Sequence, residues 1–156
     1  MTLLQALEAA LEIEHQVVYG YGVVGAHLAG ARQASAADAL ATHQRRRDTL
    51  GEEIRSAGGR PAAGEVAYAL PFPVHDAASA ASLGATLETA ASQALWNLVA
   101  ATSAGGRGRR LAVGWLAEST RLLDEWKLVS GGQDLVALPG QPAASQASTT
   151  PTSSPS

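Results

Sequence analysis

The stretch LQALEAALEIEHQVVYGYGVVGAHL, residues 4–28, decides how this chain folds. Leu4, Leu7, Leu11, Glu14, Val18, Tyr21, Gly25 and Leu28 follow one another at alternating steps of three and four, the spacing that lines up side chains along one face of a helix. Glu14 stands in the middle of this stripe with apolar residues on both sides. A carboxylate in a helical seam is costly to bury unless a cation or a metal answers it. A second apolar row, Leu3, Ala10, Val17 and Val24, widens the face. It serves either the chain's own core or a homodimer contact.

Outward from this helix the pattern repeats three times. A second helix is expected after Ser35, with Asp38 three residues on as a capping-box-like pair, running to Ser56 and stopped by Gly58-Gly59. A third opens at Asp76 and continues to Ser103, and a fourth runs from Arg109 to Val129 before Gly131-Gly132. Period-two alternation is absent, so no strand is predicted. The first two helices are joined by a few residues, and so are the last two, which makes two antiparallel hairpins. Between the hairpins lies Gly58 to Val74, with Pro61, Pro71 and Pro73. A connector of that length is able to cross from one end of a bundle to the other. Its apolar second half, with Leu70 and Phe72, is expected to staple the bundle. The fold class is therefore all-α, a four-helix bundle over residues 1–140. Residues 141–156, all Pro, Ala, Ser, Thr and Gln, read as a disordered tail.

Composition narrows the function. Hydrophobic residues make up 46% and charged residues 16%, so much of the chain is buried, and 156 residues suffice for one core. A net charge of −3 argues against a nucleic-acid surface, and the absence of cysteine excludes thiolate chemistry and disulfides. No run is long and apolar enough to span a bilayer, and acidic residues interrupt the N-terminal apolar stretch, so a cytoplasmic location is expected.

The seam carries candidate chemistry. Glu88 lies on the row Gly84, Glu88, Ala91, Leu95, Leu98 of the third helix, as Glu14 does on the first. Di-metal carboxylate bundles use a Glu from each of two helices and a Glu-x-x-His from each of the other two, donors suited to iron or manganese. The second half of that pattern fails. The second-helix seam reads Leu40, His43, Arg47, Leu50, Ile54, flanked by Arg46, with Leu40 where the Glu would stand. The fourth-helix seam is read as Leu111, Trp115, Glu118, Leu122, with Arg121 where the His would stand. A Glu-x-x-His does occur at Glu12 and His15, but Glu12 points away from the stripe, as a surface pair would. The alternative answer to the carboxylates is arginine, which is always charged and binds carboxylates in bidentate fashion. Glu14, Glu88 and Glu118 would form a buried network with two of Arg46, Arg47 and Arg121, bridged by His43. Tyr21 would bring its hydroxyl to a polar partner.

Three segments taken together, Glu14-His15-Gln16-Val17-Val18-Tyr19-Gly20-Tyr21-Gly22, His43-x-x-Arg46-Arg47-Asp48 and Tyr68-Ala69-Leu70-Pro71-Phe72-Pro73-Val74, resemble the ferritin-like domain-of-unknown-function family of high-GC bacteria. The resemblance covers Leu4 to Gly140. It implies a ferritin-like four-helix bundle and supplies no activity. The favoured expectation is a non-catalytic homodimeric bundle with a buried Arg-Glu centre in place of a di-metal site, and no cofactor. One alternative is an iron- or manganese-dependent oxidase using Glu14, His43, Glu88 and Glu118. Another is a module that binds a small apolar ligand between the helices.

Overall fold

The structure, a computed structural model, describes residues 1–131. Four helices account for its regular structure: α1 (Leu3–Ala26), α2 (Gly30–Ser56), α3 (Ala77–Ala101) and α4 (Arg107–Ser130). The residues that read as a tail lie outside the described part. Each hairpin begins with a reciprocal cap. Thr2 Oγ1 accepts from the Gln5 amide at 3.2 Å while Gln5 Oε1 accepts from the Thr2 amide at 2.8 Å. Asp76 accepts from the Ser79 amide at 2.7 Å and from its hydroxyl. Both caps satisfy amides that have no partner within the helix.

Helix α2 corrects the sequence reading. It starts at Gly30, ahead of Ser35, because Gly30 takes φ +59° and lets the chain reverse within a few residues of α1. Ser35 is already inside the helix and donates to the Ala31 carbonyl at 3.1 Å, so it caps nothing. Helix α4 likewise starts slightly earlier than expected and closes on Gly131 in the left-handed conformation, φ +85°.

Helix α1 packs against α2 and α3, and α3 packs against α4. Residues 57–76 run the length of the bundle. They leave near Ile54, where Gly59 packs between Leu4 and Ile54, and arrive near Ala80, with Leu70, Phe72 and Val74 packed on the core. This crossover makes α2 and α3 parallel, the single-crossover topology.

The stripe on α1 is broader than its heptad reading. Leu7, Leu11, Glu14, Tyr21 and Leu28 are buried, but Leu4, Val18 and Gly25 sit at its edges. Of the second row, Ala10, Val17 and Val24 are enclosed in the chain's own core, whereas Leu3 at its start is exposed. The core divides into two apolar clusters. One holds Val17, Tyr21, Val24, Leu83, Leu87, Leu122 and Trp126, and the other Leu7, Leu11, Leu50, Ile54, Leu95, Leu98 and Leu116. Among the described residues, the buried polar side chains are Glu14, His43, Arg46, Glu88, Ser92 and Ser119, and all but Ser92 are hydrogen-bonded together in a layer between the clusters.

Candidate functional site: a buried polar layer

Each helix sends a side chain into this layer because its apolar row is interrupted there. From α1 comes Glu14, with 1% of its surface exposed, and from α3 comes Glu88, fully buried. His43 from α2 lies between them. Its Nδ1 is 2.7 Å from Glu14 Oε2, and its Nε2 is 2.9 Å from Glu88 Oε1. With a carboxylate against each ring nitrogen, both nitrogens carry hydrogen, and His43 is an imidazolium. Burial is the largest single influence on its pKa and lowers it. The hydrogen bonds and charges of Glu14 and Glu88 together outweigh burial and raise the pKa to about 9.

Arg46, one turn beyond His43, reaches from α2 to α1 and α4. Its Nη1 donates to Glu14 Oε1 at 3.1 Å and to Ser119 Oγ at 2.9 Å. Its Nη2 donates to Glu118 Oε2 at 3.1 Å and faces the Trp115 carbonyl at 3.5 Å. The guanidinium also lies 5.8 Å from the centre of the Trp115 ring. On the other side of His43, the Tyr21 hydroxyl donates to Glu88 Oε1 at 2.5 Å and accepts from Trp126 Nε1 at 2.8 Å. The Tyr21 and His43 rings stack with centroids 5.3 Å apart. Burial, reinforced by the Glu88 carboxylate, holds the Tyr21 phenol well above its ordinary range, so it stays protonated. Two carboxylates, an imidazolium and a guanidinium sum to zero, so the enclosed charge is balanced.

The structure therefore brings Glu14, Tyr21, His43, Arg46 and Glu88 together, with Glu118 at the rim, its side chain 39% exposed. Arg47 and Arg121 do not join them. Arg47 pairs with Asp48 beside it, and Arg121 with Glu125 one turn on, both at the surface. Glu88 is answered by His43 and Tyr21 rather than by arginine. The buried residues of α4 are Ala112, Leu116, Ser119, Leu122, Leu123 and Trp126; of the row read in the sequence only Leu122 is among them, and the inward face is centred about one residue further round, which is why Glu118 sits at the edge. Ser119 and Trp126 were missed as polar members, and Ser92 as a buried polar residue. The three-four spacing of the alternative α4 row was the signal available for two of them. Glu12 is exposed, and His15 lies 3.1 Å from the Ala62 carbonyl, on the crossover.

A di-metal group does not fit this donor set. Both His43 nitrogens are committed to carboxylates, and a guanidinium lies within hydrogen-bond reach of Glu14 and Glu118. Glu88 Oε2 is buried without a partner, but one oxygen is no chelate. Among the described residues, no three His, Cys, Asp or Glu side chains are grouped so as to hold a metal.

The single-crossover bundle with a carboxylate-bearing centre places the chain among ferritin-like proteins. It belongs to the family described as Domain of unknown function (DUF4439), whose model matches residues 6–143. Its fold is similar to that of the conserved hypothetical protein rv2844 from Mycobacterium tuberculosis, with a TM-score of 0.77 and 32% identity over 85% of this chain and 93% of that one. The bacterioferritin-related protein from Bacteroides fragilis, described as a dodecameric thioferritin, shares the fold with a TM-score of 0.68 and 18% identity, over 81% of this chain and 83% of that one. No curated protein matches the chain. Among the described residues, no helix is long and apolar enough to cross a membrane.

Proposed function

We propose that this protein is a non-catalytic ferritin-like bundle in which Arg46 and His43 supply the positive charge that metal ions supply in di-metal carboxylate bundles. The observation that carries this reading is the double commitment of Glu14: one oxygen accepts from Arg46 and the other from His43. Both oxygens that would hold a metal are thus engaged by the chain's own cations. Such a layer fixes the register of four helices more than it adds stability.

Elemental analysis of untagged protein purified without added metal tests the proposal. The expected result is no stoichiometric iron or manganese. Stoichiometric metal that disappears in Glu14→Ala would overturn it in favour of a metal-dependent oxidase or metal-binding protein built on Glu14, His43, Glu88 and Glu118.

We also propose that the chain forms a homodimer. A shallow groove of about 470 Å³ on the α1–α2 face, lined by Gly22, Gly25, Gly30, Ala34, Ala37 and Leu40, offers bare helix surface on which a second copy is able to approach closely. The fold relative described as dodecameric lends this support. Light scattering on the eluted protein gives the mass; a monomer at micromolar concentration would reject the dimer.

A further inference from the structure

We propose that the groove between α1 and the crossover is a binding site for an amphiphilic organic cation, an alkyl chain ending in a protonated amine. The site lies outside the buried polar layer and does not depend on how that layer is read. Two cavities follow one another along α1, and Tyr68 lines both. One, of about 440 Å³, is walled by Glu8, Glu12 and His15 of α1 and by Arg60, Glu65 and Tyr68 of the crossover. The other, of about 400 Å³, is walled by Ile13 and Val17 of α1, Leu70 and Pro71 of the crossover, and Leu87 and Ala90 of α3. Each has the size that small-molecule pockets take.

The two ends differ in chemistry, and that difference selects the occupant. The second cavity opens onto the core, since Leu87 is buried there and Ile13 and Leu70 pack on the same cluster. It offers an alkyl chain a surface to leave water on. The first cavity sets three carboxylates against one guanidinium. Helix α1 holds no Lys or Arg, and Glu8 and Glu12 stand one turn apart on its exposed face, a like-charge pair that destabilises a helix unless a cation answers it. Among the described residues, no ion pair engages Glu8, Glu12 or Glu65. His15 is committed elsewhere, with Nε2 3.1 Å from the Ala62 carbonyl. Tyr68 stands where the two ends meet. Its hydroxyl accepts from the Glu65 amide at 2.8 Å, and its ring meets Tyr19 edge-on with centroids 5.8 Å apart. An aromatic ring at this junction attracts an ammonium head through its π-system and packs against the first carbons of the chain. A fatty anion would set its head against the carboxylates, and a neutral alcohol would leave them unanswered.

The test titrates the full chain with octylamine, protonated at neutral pH, and separately with octanoate, octan-1-ol and butane-1,4-diamine. The readouts are calorimetry and amide chemical shifts. Wild type is expected to bind octylamine saturably at one site, with a Kd at or below about 1 mM. The shifts should centre on residues 8–19 and 65–71, which wall the two cavities. Octanoate and octan-1-ol, which share the tail, and the diamine, which lacks it, should each bind at least about tenfold more weakly. Glu8→Gln combined with Glu12→Gln should weaken octylamine by about tenfold and leave octan-1-ol unchanged. Thr86→Phe, at the exposed rim of the second cavity, should weaken octylamine by a similar factor by filling the space for the chain. No saturable octylamine binding by wild type overturns the proposal, as does equal affinity for octanoate, octan-1-ol or the diamine. Unchanged octylamine affinity in either variant also overturns it. Shifts that fall elsewhere in wild type overturn it whether or not the variants fold.

Discussion

At the scale of single residues, Arg46 and Arg47 provide a controlled comparison. They are neighbours in sequence, yet the Arg46 side chain is buried among Glu14, Ser119 and Glu118 while that of Arg47 lies at the surface beside Asp48. Replacing Arg46 by Met strands a buried carboxylate and is expected to cost about 3–5 kcal/mol in chemical denaturation. Arg47→Met should stay within about 0.5 kcal/mol. Equal small effects would show that Arg46 is not a buried charge. His43 supplies a pH dependence of known sign. Its folded-state pKa of about 9 lies above the ordinary 6.5. The stabilisation it gives is full below pH 6.5, declines between the two values and is gone above pH 9, and amounts to something of order 3 kcal/mol. Denaturation measured across that window should show the loss in wild type and not in His43→Gln. Glu14 and His43 were legible in the sequence because polar residues in an apolar row are conspicuous. The choice between Arg46 and Arg47 was not, since three consecutive arginines point three different ways around the helix and packing against α1 and α4 selects one.

At the scale of the elements, close approach sets where side chains go. A Cβ on Gly84 would stand 2.8 Å from the Trp126 ring, and one on Gly20 would stand 2.7 Å from Leu87. Trp126 in turn donates to Tyr21. Gly84→Ala should therefore push Trp126 off its position, costing about 1–3 kcal/mol in thermal unfolding. The intrinsic fluorescence should shift as the indole loses its partner. A stable, unshifted variant would mean that the contact yields freely. Helix positions and the Asp76 cap were readable from turn residues and apolar spacing. The rotation of α4 was not, because two adjacent rows both follow three-four spacing, and burial of Trp126 against Gly84 decides between them. The start of α2 was hidden for a related reason: the reversal depends on one glycine's backbone angle, whereas Ser35 and Asp38 only imitate a cap.

At the scale of the whole molecule, the crossover and the pairing of hairpins followed from loop lengths, and so the ferritin-like bundle was accessible from the chain alone. The polar layer as a connected object was not, because its bonds join residues 29 to 105 positions apart. If the layer acts chiefly on register, replacing Glu14, His43, Arg46 and Glu88 together by apolar residues of similar volume should leave stability unchanged or raise it by about 1–4 kcal/mol. Amide spectra should then broaden or double as shifted packings become populated. A large loss of stability with sharp spectra would contradict this. The layer also bears on how the two halves find each other. Glu14 meets His43 and Arg46 within the first hairpin, but Glu88 finds its cationic partner only in the opposite one. The second hairpin thus carries a charge that has no protein counterion until docking is complete and in step. A misaligned pair of hairpins would bury that charge without its partner, a cost that the aligned pair escapes.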